Sequence, residues 1–99
     1  MENIDMTVYR ITRFTSPDAG KAVTMAEEAR EEVAAAGADI IDIAMDDDGN
    51  GVVVAKYPDA ATMEAATAVA MGVFGKMIAE GAIDGDSIDI WTGNIAVSF

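Results

Sequence analysis

Residues 39–57, DIIDIAMDDDGNGVVVAKY, decide the fold of this 99-residue chain. Two runs rich in isoleucine and valine, 39–46 and 52–57, are typical of β-strands. The intervening residues 47–51, DDGNG, are of the types that adopt tight-turn conformations. The stretch therefore predicts an antiparallel β-hairpin in the middle of the chain.

A strand and a helix are predicted on the N-terminal side of this hairpin. Residues 6–14, MTVYRITRF, mix β-branched and aromatic types with polar ones, which favours a strand. Ser16, Pro17 and Asp18 then read as the N-cap, the first helical position and an acid in the first turn. The helix is expected to end at Gly37, and its alanine-rich apolar stripe should let it approach the sheet closely.

A second helix and a last strand follow the hairpin. Asp59 is the predicted cap of a helix that ends at Gly81. Residues 87–92, SIDIWT, alternate as a strand does. Gly93 and Asn94 are expected to interrupt it, leaving residues 95–99 as a short extended tail.

The predicted order is therefore βαββαβ, an α+β arrangement of the ferredoxin-like kind. It places two helices on one face of a four-stranded antiparallel sheet with strand order 4-1-3-2. Residues 1–99 form one domain, with a short C-terminal extension from about residue 94. One face of the sheet is left without a helix over it.

Side-chain alternation assigns residues to the two sheet faces. The set expected to meet the helices is uncharged: Tyr9, Ile11, Ile41, Ile43, Met45, Val53, Ala55, Ile88 and Ile90. The set expected on the open face mixes apolar and charged types: Val8, Arg10, Thr12, Phe14, Ile40, Asp42, Ala44, Val52, Val54, Lys56, Asp89 and Trp91. So large an apolar patch is unusual on a monomer, and we expect it to be covered by a second copy of the chain.

Composition excludes several classes of function. The chain has 18 acidic and 6 basic residues, a net charge of −12, which disfavours nucleic acid and anionic membranes as partners. It has no cysteine and no histidine, so thiolate chemistry and the commonest metal ligand are absent, and we expect no metal or haem cofactor. No segment is apolar enough to span a bilayer, and a cytoplasmic location is expected.

The element order and the closing stretch 88–95, IDIWTGNI, resemble the dimeric α/β-barrel superfamily, and in particular its small uncharacterised members. The resemblance implies a homodimer in which two open sheet faces pair into a barrel. That superfamily includes cofactor-free monooxygenases, haem-degrading enzymes and isomerases. Haem degradation relies on a histidine, which this chain lacks. The monooxygenases use an asparagine and a tryptophan, and Trp91 and Asn94 do not match that spacing, so no catalytic residue is assigned.

Four charged side chains on the expected open face are predicted to pair across strands, Arg10 with Asp89 and Lys56 with Asp42. Such pairs are often purely structural. The alternative is a cavity that orients a small anionic or aromatic ligand, with an aspartate as general base. The candidate ligand-binding residues are Arg10, Thr12, Asp42, Lys56, Asp89 and Trp91.

The hairpin loop resembles the start of a calcium-binding loop, with Asp46, Asp48 and Asn50 at alternating positions. The twelfth position is Tyr57, which has no carboxylate, and strands flank the loop where such loops have helices. A hairpin turn without a metal is therefore favoured.

Three hypotheses of function remain. The first is a homodimer that binds a small, partly apolar or anionic molecule in the barrel. The second is a cofactor-independent monooxygenase or isomerase, and the third is an assembly protein that binds no ligand. The second helix carries small residues on the flank away from its core stripe, Ala65, Ala68, Val69, Gly72 and Ala79. This predicts either a further contact on that flank, as in a higher oligomer, or coverage of the flank by another chain's tail.

Overall fold

The computed structural model describes residues 7–99 and contains one four-stranded antiparallel sheet. Its strand order is the predicted 4-1-3-2 order, read from the other edge of the sheet. The predicted start of the first strand at Met6 lies outside the described residues. The elements are β1 (Val8–Thr15), α1 (Ala19–Glu28), α2 (Arg30–Ala34), β2 (Ile40–Met45), β3 (Asn50–Tyr57), α3 (Ala60–Ala79), a 3₁₀ turn (Gly85–Ser87) and β4 (Asp89–Asn94).

The central hairpin is confirmed, and its turn is organised by one carboxylate. Asp46 accepts hydrogen bonds from the backbone N–H groups of Asp48 (2.9 Å) and Asn50 (2.9 Å) and from the Asn50 side chain (3.1 Å). Gly49 has a φ of +86°, a conformation that residues with a side chain rarely adopt. The Asp46 oxygens therefore stabilise the turn itself.

The start of α1 differs from the prediction. Asp18, and not Ser16, is the N-cap, because its carboxylate accepts the backbone N–H of Lys21 at 3.1 Å. The Ser16 hydroxyl instead donates to the carbonyl of Ala82 at 2.5 Å. Ser16 thus ties the end of β1 to the segment after α3.

The first helical region is broken in two, whereas α3 is one helix as predicted. Ala29 separates α1 from α2, and the chain leaves α2 through Gly37 at a φ of +97°. Asp59 caps α3 by accepting the backbone N–H of Thr62 at 2.7 Å, which confirms the predicted cap. Gly81, at a φ of +79°, follows the end of α3.

β4 does not end where the sequence predicted. Gly93 and Asn94 belong to the strand, since they lie opposite Tyr9 and Val8 of β1. The expectation that they interrupt it is wrong. A Cβ at Gly93 would lie 2.5 Å from the Trp91 ring, so the glycine is what lets the indole lie along the strand.

The predicted faces of β1 are reversed. Arg10 lies opposite Ala55 of β3, and both are buried beneath the helices. The helix-facing residues of β1 are therefore Val8, Arg10, Thr12 and Phe14. Tyr9 and Ile11 are on the open face. The assignments for the other three strands agree with the observed register.

The core consists of two apolar clusters. One contains Phe14, Ala22, Met77, Ala82 and Ile83, with Phe74 packed edge-on against Phe14 at a ring distance of 6.4 Å. The other contains Val8, Ala55, Tyr57 and Ala66. Arg10 and Thr12 lie between Val8 and Phe14 on β1, so the strand carries two buried polar side chains between the clusters.

The hydrogen bonds of the hairpin turn predict an acid-sensitive contribution to stability. Donation by the Asn50 backbone, then by its side chain and the Asp48 backbone, holds the pKa of Asp46 below its ordinary value of 3.8. A carboxylate with a lowered folded-state pKa stabilises the fold fully above its unfolded-state pKa, and the effect is lost as pH falls through the folded-state value. Asp46→Asn should therefore lower the melting temperature at pH 7, and the difference from wild type should shrink as pH falls below 3.8.

Asp47→Asn is the matched control, because the Asp47 side chain makes no hydrogen bond within residues 7–99. Thermal unfolding of both variants followed by circular dichroism between pH 7 and pH 2 makes the comparison. A melting temperature that drops equally in both variants would contradict the role of Asp46.

Candidate functional site

A cleft of about 670 Å³ lies between the helices and the helix-facing side of the sheet. Clefts of a few hundred cubic ångströms are typical of small-molecule sites. α3 forms one wall with Ala66, Val69, Ala70, Val73, Phe74 and Met77. α1 and α2 form the other wall, and the floor comes from β1, β2 and β3.

The cleft arises because the α1 side of the layer is built from small side chains. Ala22, Ala26 and Ala29 line it, and alanine is too short to fill the space between a helix and a sheet at normal packing density. The alanine stripe was expected to bring this helix close to the sheet. That expectation is wrong, since α1 and α2 line one wall of the cleft.

Arg10 is the charged residue of the floor, with 8% of its surface exposed. Its Nη2 donates to the Met63 carbonyl (2.8 Å) and to the Thr67 hydroxyl (3.2 Å), both on α3. The guanidinium also lies 5.5 Å from the centre of the Tyr57 ring, within the range of a cation–π contact. Within the described part of the chain no carboxylate forms an ion pair with it. The floor therefore holds a buried positive charge compensated only by dipoles.

Two buried hydroxyl groups accompany Arg10. Thr12 and Tyr57 are each 3% exposed, and both line the cleft. Neither hydroxyl forms a hydrogen bond with any residue in the range 7–99. Buried polar groups are nearly always hydrogen-bonded, so two such groups beside a buried guanidinium mark the floor as functionally unusual.

The rim of the cleft is exposed and mostly acidic. Glu27 and Arg30 form an ion pair on the edge of the helical wall, and the Arg30 Nε donates to the Glu27 carboxylate at 2.9 Å. Asp39 and Asp42 lie on the opposite side, at the sheet edge. The cleft thus changes from a negative rim to a positive floor.

The structure separates the predicted ligand-binding residues into two groups. Arg10 and Thr12 are on the cleft floor. Asp42 has a register position on the open face, but it belongs to the edge strand and also borders the rim of the cleft. Lys56, Asp89 and Trp91 are on the open face of the sheet, on the other side of the backbone. The proposed single cavity containing all six residues is therefore wrong.

The predicted cross-strand pairs are also wrong. Asp89 lies opposite Arg13, while Arg10 lies opposite Thr92. Lys56 lies opposite Ile40, and Asp42 lies opposite Val54. The Arg10–Asp89 pair fails because the predicted face of β1 was reversed. The Lys56–Asp42 pair fails because the hairpin register places other residues directly opposite them.

The residues that hydrogen-bond or stack with Arg10 were not predicted from the sequence: Tyr57, Met63 and Thr67. A signal for the face of Arg10 was present. Val8 and Phe14 share its parity on β1, and large apolar residues at both ends of a strand favour the buried face.

Residues 7–99 contain neither a cluster of metal ligands nor a membrane-spanning helix. No three acidic side chains there converge as ligands of one metal ion would. None of the helices in that range has the length and hydropathy needed to cross a bilayer.

Comparison with known proteins identifies the fold and no closer relationship. No family model matches the sequence, and no curated protein matches it. Solved structures match over almost the whole chain. A protein of unknown function from Nitrosomonas europaea has a TM-score of 0.77 at 13% identity, covering 96% of this chain and 95% of its own. SnoaB, a cofactor-independent oxygenase from Streptomyces nogalater, has a TM-score of 0.74 at 14% identity, and the match covers 94% of this chain and 96% of the SnoaB chain.

A dimeric ferredoxin-like protein from an uncultured marine organism has a TM-score of 0.68 at 12% identity, covering 99% of this chain and 95% of its own. The predicted ferredoxin-like fold is therefore confirmed, as is the resemblance to small α/β-barrel proteins at the level of the fold. Asparagine and tryptophan are not among the described residues that line the cleft. The similarity to the oxygenase thus transfers no catalytic residue.

The Arg10 charge is buried without an ion-pair partner among the described residues. We therefore predict that Arg10 contributes little to the free energy of unfolding. Arg10→Met removes a buried charge, and the Met63 carbonyl still accepts the Thr67 hydroxyl at 3.1 Å. We expect the free energy of unfolding to fall by no more than about 1 kcal/mol, or to rise. Urea unfolding followed by circular dichroism measures it.

Thr67→Val provides the contrast, because it removes an acceptor and leaves the guanidinium buried. It should cost about 1–3 kcal/mol. A loss of about 3–5 kcal/mol in Arg10→Met, the range seen when a buried ion pair is broken, would show that Arg10 is mainly a structural tether.

Proposed function

We propose that this protein is a homodimer that binds a small, partly apolar molecule in the cleft between its helices and its sheet. The observation that carries the proposal is the cleft itself, about 670 Å³ in volume, with apolar walls and a floor that carries the polar side chains of Arg10, Thr12 and Tyr57. Apolar walls with a few convergent polar groups are the usual composition of a small-molecule site. The ligand site is thus on the helix side of the sheet, and not in a barrel interior.

The open face of the sheet supports self-association. It exposes Ile40 (46%) and Trp91 (58%) beside the half-buried Ile11, Val52 and Val54. It also carries two cations, Arg13 and Lys56, and two anions, Asp42 and Asp89, which cancel on a chain of net charge −12. A neutral apolar face on a strongly acidic protein suits a second copy better than it suits water. One structural neighbour is a dimeric ferredoxin-like protein, which agrees with this.

A cofactor-independent oxygenase or isomerase is the second candidate function. The similarity in fold to SnoaB favours it. Chemistry in this cleft would have to come from Tyr57, from a rim carboxylate such as Asp39 or Asp42, or from the substrate's own reactivity. Binding is the part of the proposal that both functions share.

A larger side chain placed in the cleft should block binding. Ala70 lines the α3 wall, and Ala70→Phe would project a ring into the cleft. The neutral naphthalene ester methyl 2-naphthoate serves as the ligand, with binding measured by its fluorescence. We expect wild type to bind it and Ala70→Phe to bind it at least about tenfold more weakly, because an aromatic ring buries area that the ester would otherwise contact.

Ala68→Phe is the matched control, since Ala68 is exposed on the same helix and does not line the cleft. Native mass spectrometry of freshly purified protein, performed alongside, detects any retained molecule. Equal binding by both phenylalanine variants would show that the ester binds outside the cleft. No binding by wild type would favour an assembly protein without a ligand.

A charge on the open face should separate the protomers. Trp91→Glu replaces an exposed apolar anchor with a carboxylate, and repulsion between copies should convert the dimer to monomer at micromolar concentration. Sedimentation velocity gives the mass. Met71→Glu, at an exposed position on α3, should remain dimeric.

A monomeric wild type would disprove the dimer, and a Trp91→Glu variant that stays dimeric would rule out the open face as its interface. Wild type larger than a dimer that falls to a dimer in Met71→Glu would support the predicted further contact on α3. Among residues 7–99, nothing outside the neighbouring backbone of that helix lies within 4 Å of a Cβ added at Gly72 or Gly75, so the described residues leave this flank uncovered.

A further inference from the structure

We propose that Arg10, Thr12 and Tyr57 form an anion subsite on the floor of the cleft, and that the ligand is a flat apolar molecule with one carboxylate or equivalent oxyanion. This inference rests on the proposed function, because it names the chemical class of the molecule that enters the cleft. It assigns the binding of the ligand's anionic group to named residues, whereas the proposed function rests mainly on the apolar walls of the cleft.

The hydrogen-bonding inventory of Arg10 is the first observation. A guanidinium has five N–H donors, two of them on Nη2. The two Nη2 donors are used by the Met63 carbonyl and the Thr67 hydroxyl. Nε and Nη1 donate to no atom in residues 7–99. A side chain that is 8% exposed thus retains three donors on the floor of a cleft.

The position of this guanidinium is fixed by its surroundings. Two acceptors on α3 hold Nη2, and the Tyr57 ring packs against the planar group at 5.5 Å. A donor held in place before the ligand arrives loses little entropy on binding. Arginine pairs with carboxylates through two parallel N–H···O bonds, which a fixed, flat guanidinium favours.

The two free hydroxyl groups are the second, independent observation. Thr12 follows Arg10 by two residues on β1, so the two side chains share the helix-facing side of the sheet. Tyr57 is the residue whose ring lies against Arg10. Both hydroxyls can donate to an oxyanion, and neither is committed to another partner within the described residues. Arg10 and the two residues on either side of it therefore offer donors, and none of them carries a negative charge.

The charges around the cleft limit the ligand to a single anionic group. Arg10 is the one cationic residue on the floor formed by the described residues, and Arg30 at the rim is already paired with Glu27. Asp39 and Asp42 at the rim would repel a second negative group. A phosphate dianion would bring more charge than one guanidinium balances. The fitting molecule has its acid at the floor and an apolar body between Val69, Val73 and Ile41.

A matched pair of small molecules tests the inference. 2-Naphthoate and methyl 2-naphthoate share a flat apolar body, and only the first carries a charge at pH 7. Isothermal titration calorimetry of the wild-type dimer should show that the acid binds at least about tenfold more tightly than the ester, since hydrogen bonds to charged groups are the stronger kind. Arg10→Met should lose this preference, with the affinity for the acid falling to about that for the ester.

Arg13→Met is the control for arginine chemistry. Arg13 lies three residues further along β1, on the open face, and should not alter the preference for the acid. Tyr57→Phe is a second variant that keeps the ring against Arg10 and removes one donor. It should reduce the ratio of acid affinity to ester affinity several-fold, so the inference is tested even where Arg10→Met fails to fold.

The outcomes separate the two proposals. Equal affinity for acid and ester in wild type, or a preference that persists in Arg10→Met, would overturn the anion subsite and leave the ligand-binding cleft in place. Binding of neither molecule by wild type would overturn both. Loss of the preference in Arg10→Met and its retention in Arg13→Met would support the subsite.

Discussion

The pairing of β1 with β3 is the constraint on which the rest of the structure depends. It places Arg10 opposite Ala55 and Thr12 opposite Val53, which commits both polar side chains to the space beneath the helices. Because side chains alternate along a strand, Val8 and Phe14 can join the core only if Arg10 and Thr12 come with them. The apolar ends of β1 therefore bury a charge in its centre, and α3 supplies the carbonyl and the hydroxyl that make this burial tolerable.

The two faces of the sheet have different physical characters as a result. The helix side combines alanine-lined walls with a polar floor, and the small side chains of α1 leave a cleft where larger ones would have completed a core. The open side is apolar with balanced charges. A sheet with this division can associate through one face and bind a small molecule under the other. The negative charge of this acidic protein is therefore interrupted in two regions, the open face of the sheet and the floor of the cleft.

The sequence was sufficient for the architecture and insufficient for the site. Strong local signals produced correct predictions: the turn residues around Gly49, the Asp59 cap, and the glycines at positions 37 and 81. The face of β1 was predicted wrongly because Tyr9 and Ile11 are apolar and Arg10 is charged, and single-strand alternation favours the apolar set for burial. What overrides that preference is the register with β3, a long-range property. The local pattern held only a weaker signal, the apolar Val8 and Phe14 at the two ends of the buried face. The same register separated Lys56, Asp89 and Trp91 from Arg10, and the resemblance in fold predicted neither the cleft nor the contact with Tyr57.

The central claim is that Arg10 is buried in order to meet an anionic ligand under the helices. Side-chain NMR of arginine Nε–Hε groups tests it most directly, because the chain has only three arginines, Arg10, Arg13 and Arg30, which single substitutions can assign. On titration with 2-naphthoate, the account predicts that the Arg10 Nε–Hε signal shifts saturably toward a hydrogen-bonded position, while the signals of Arg13 and Arg30 stay in place. Saturable binding of naphthoate that leaves the Arg10 signal unmoved would contradict the account.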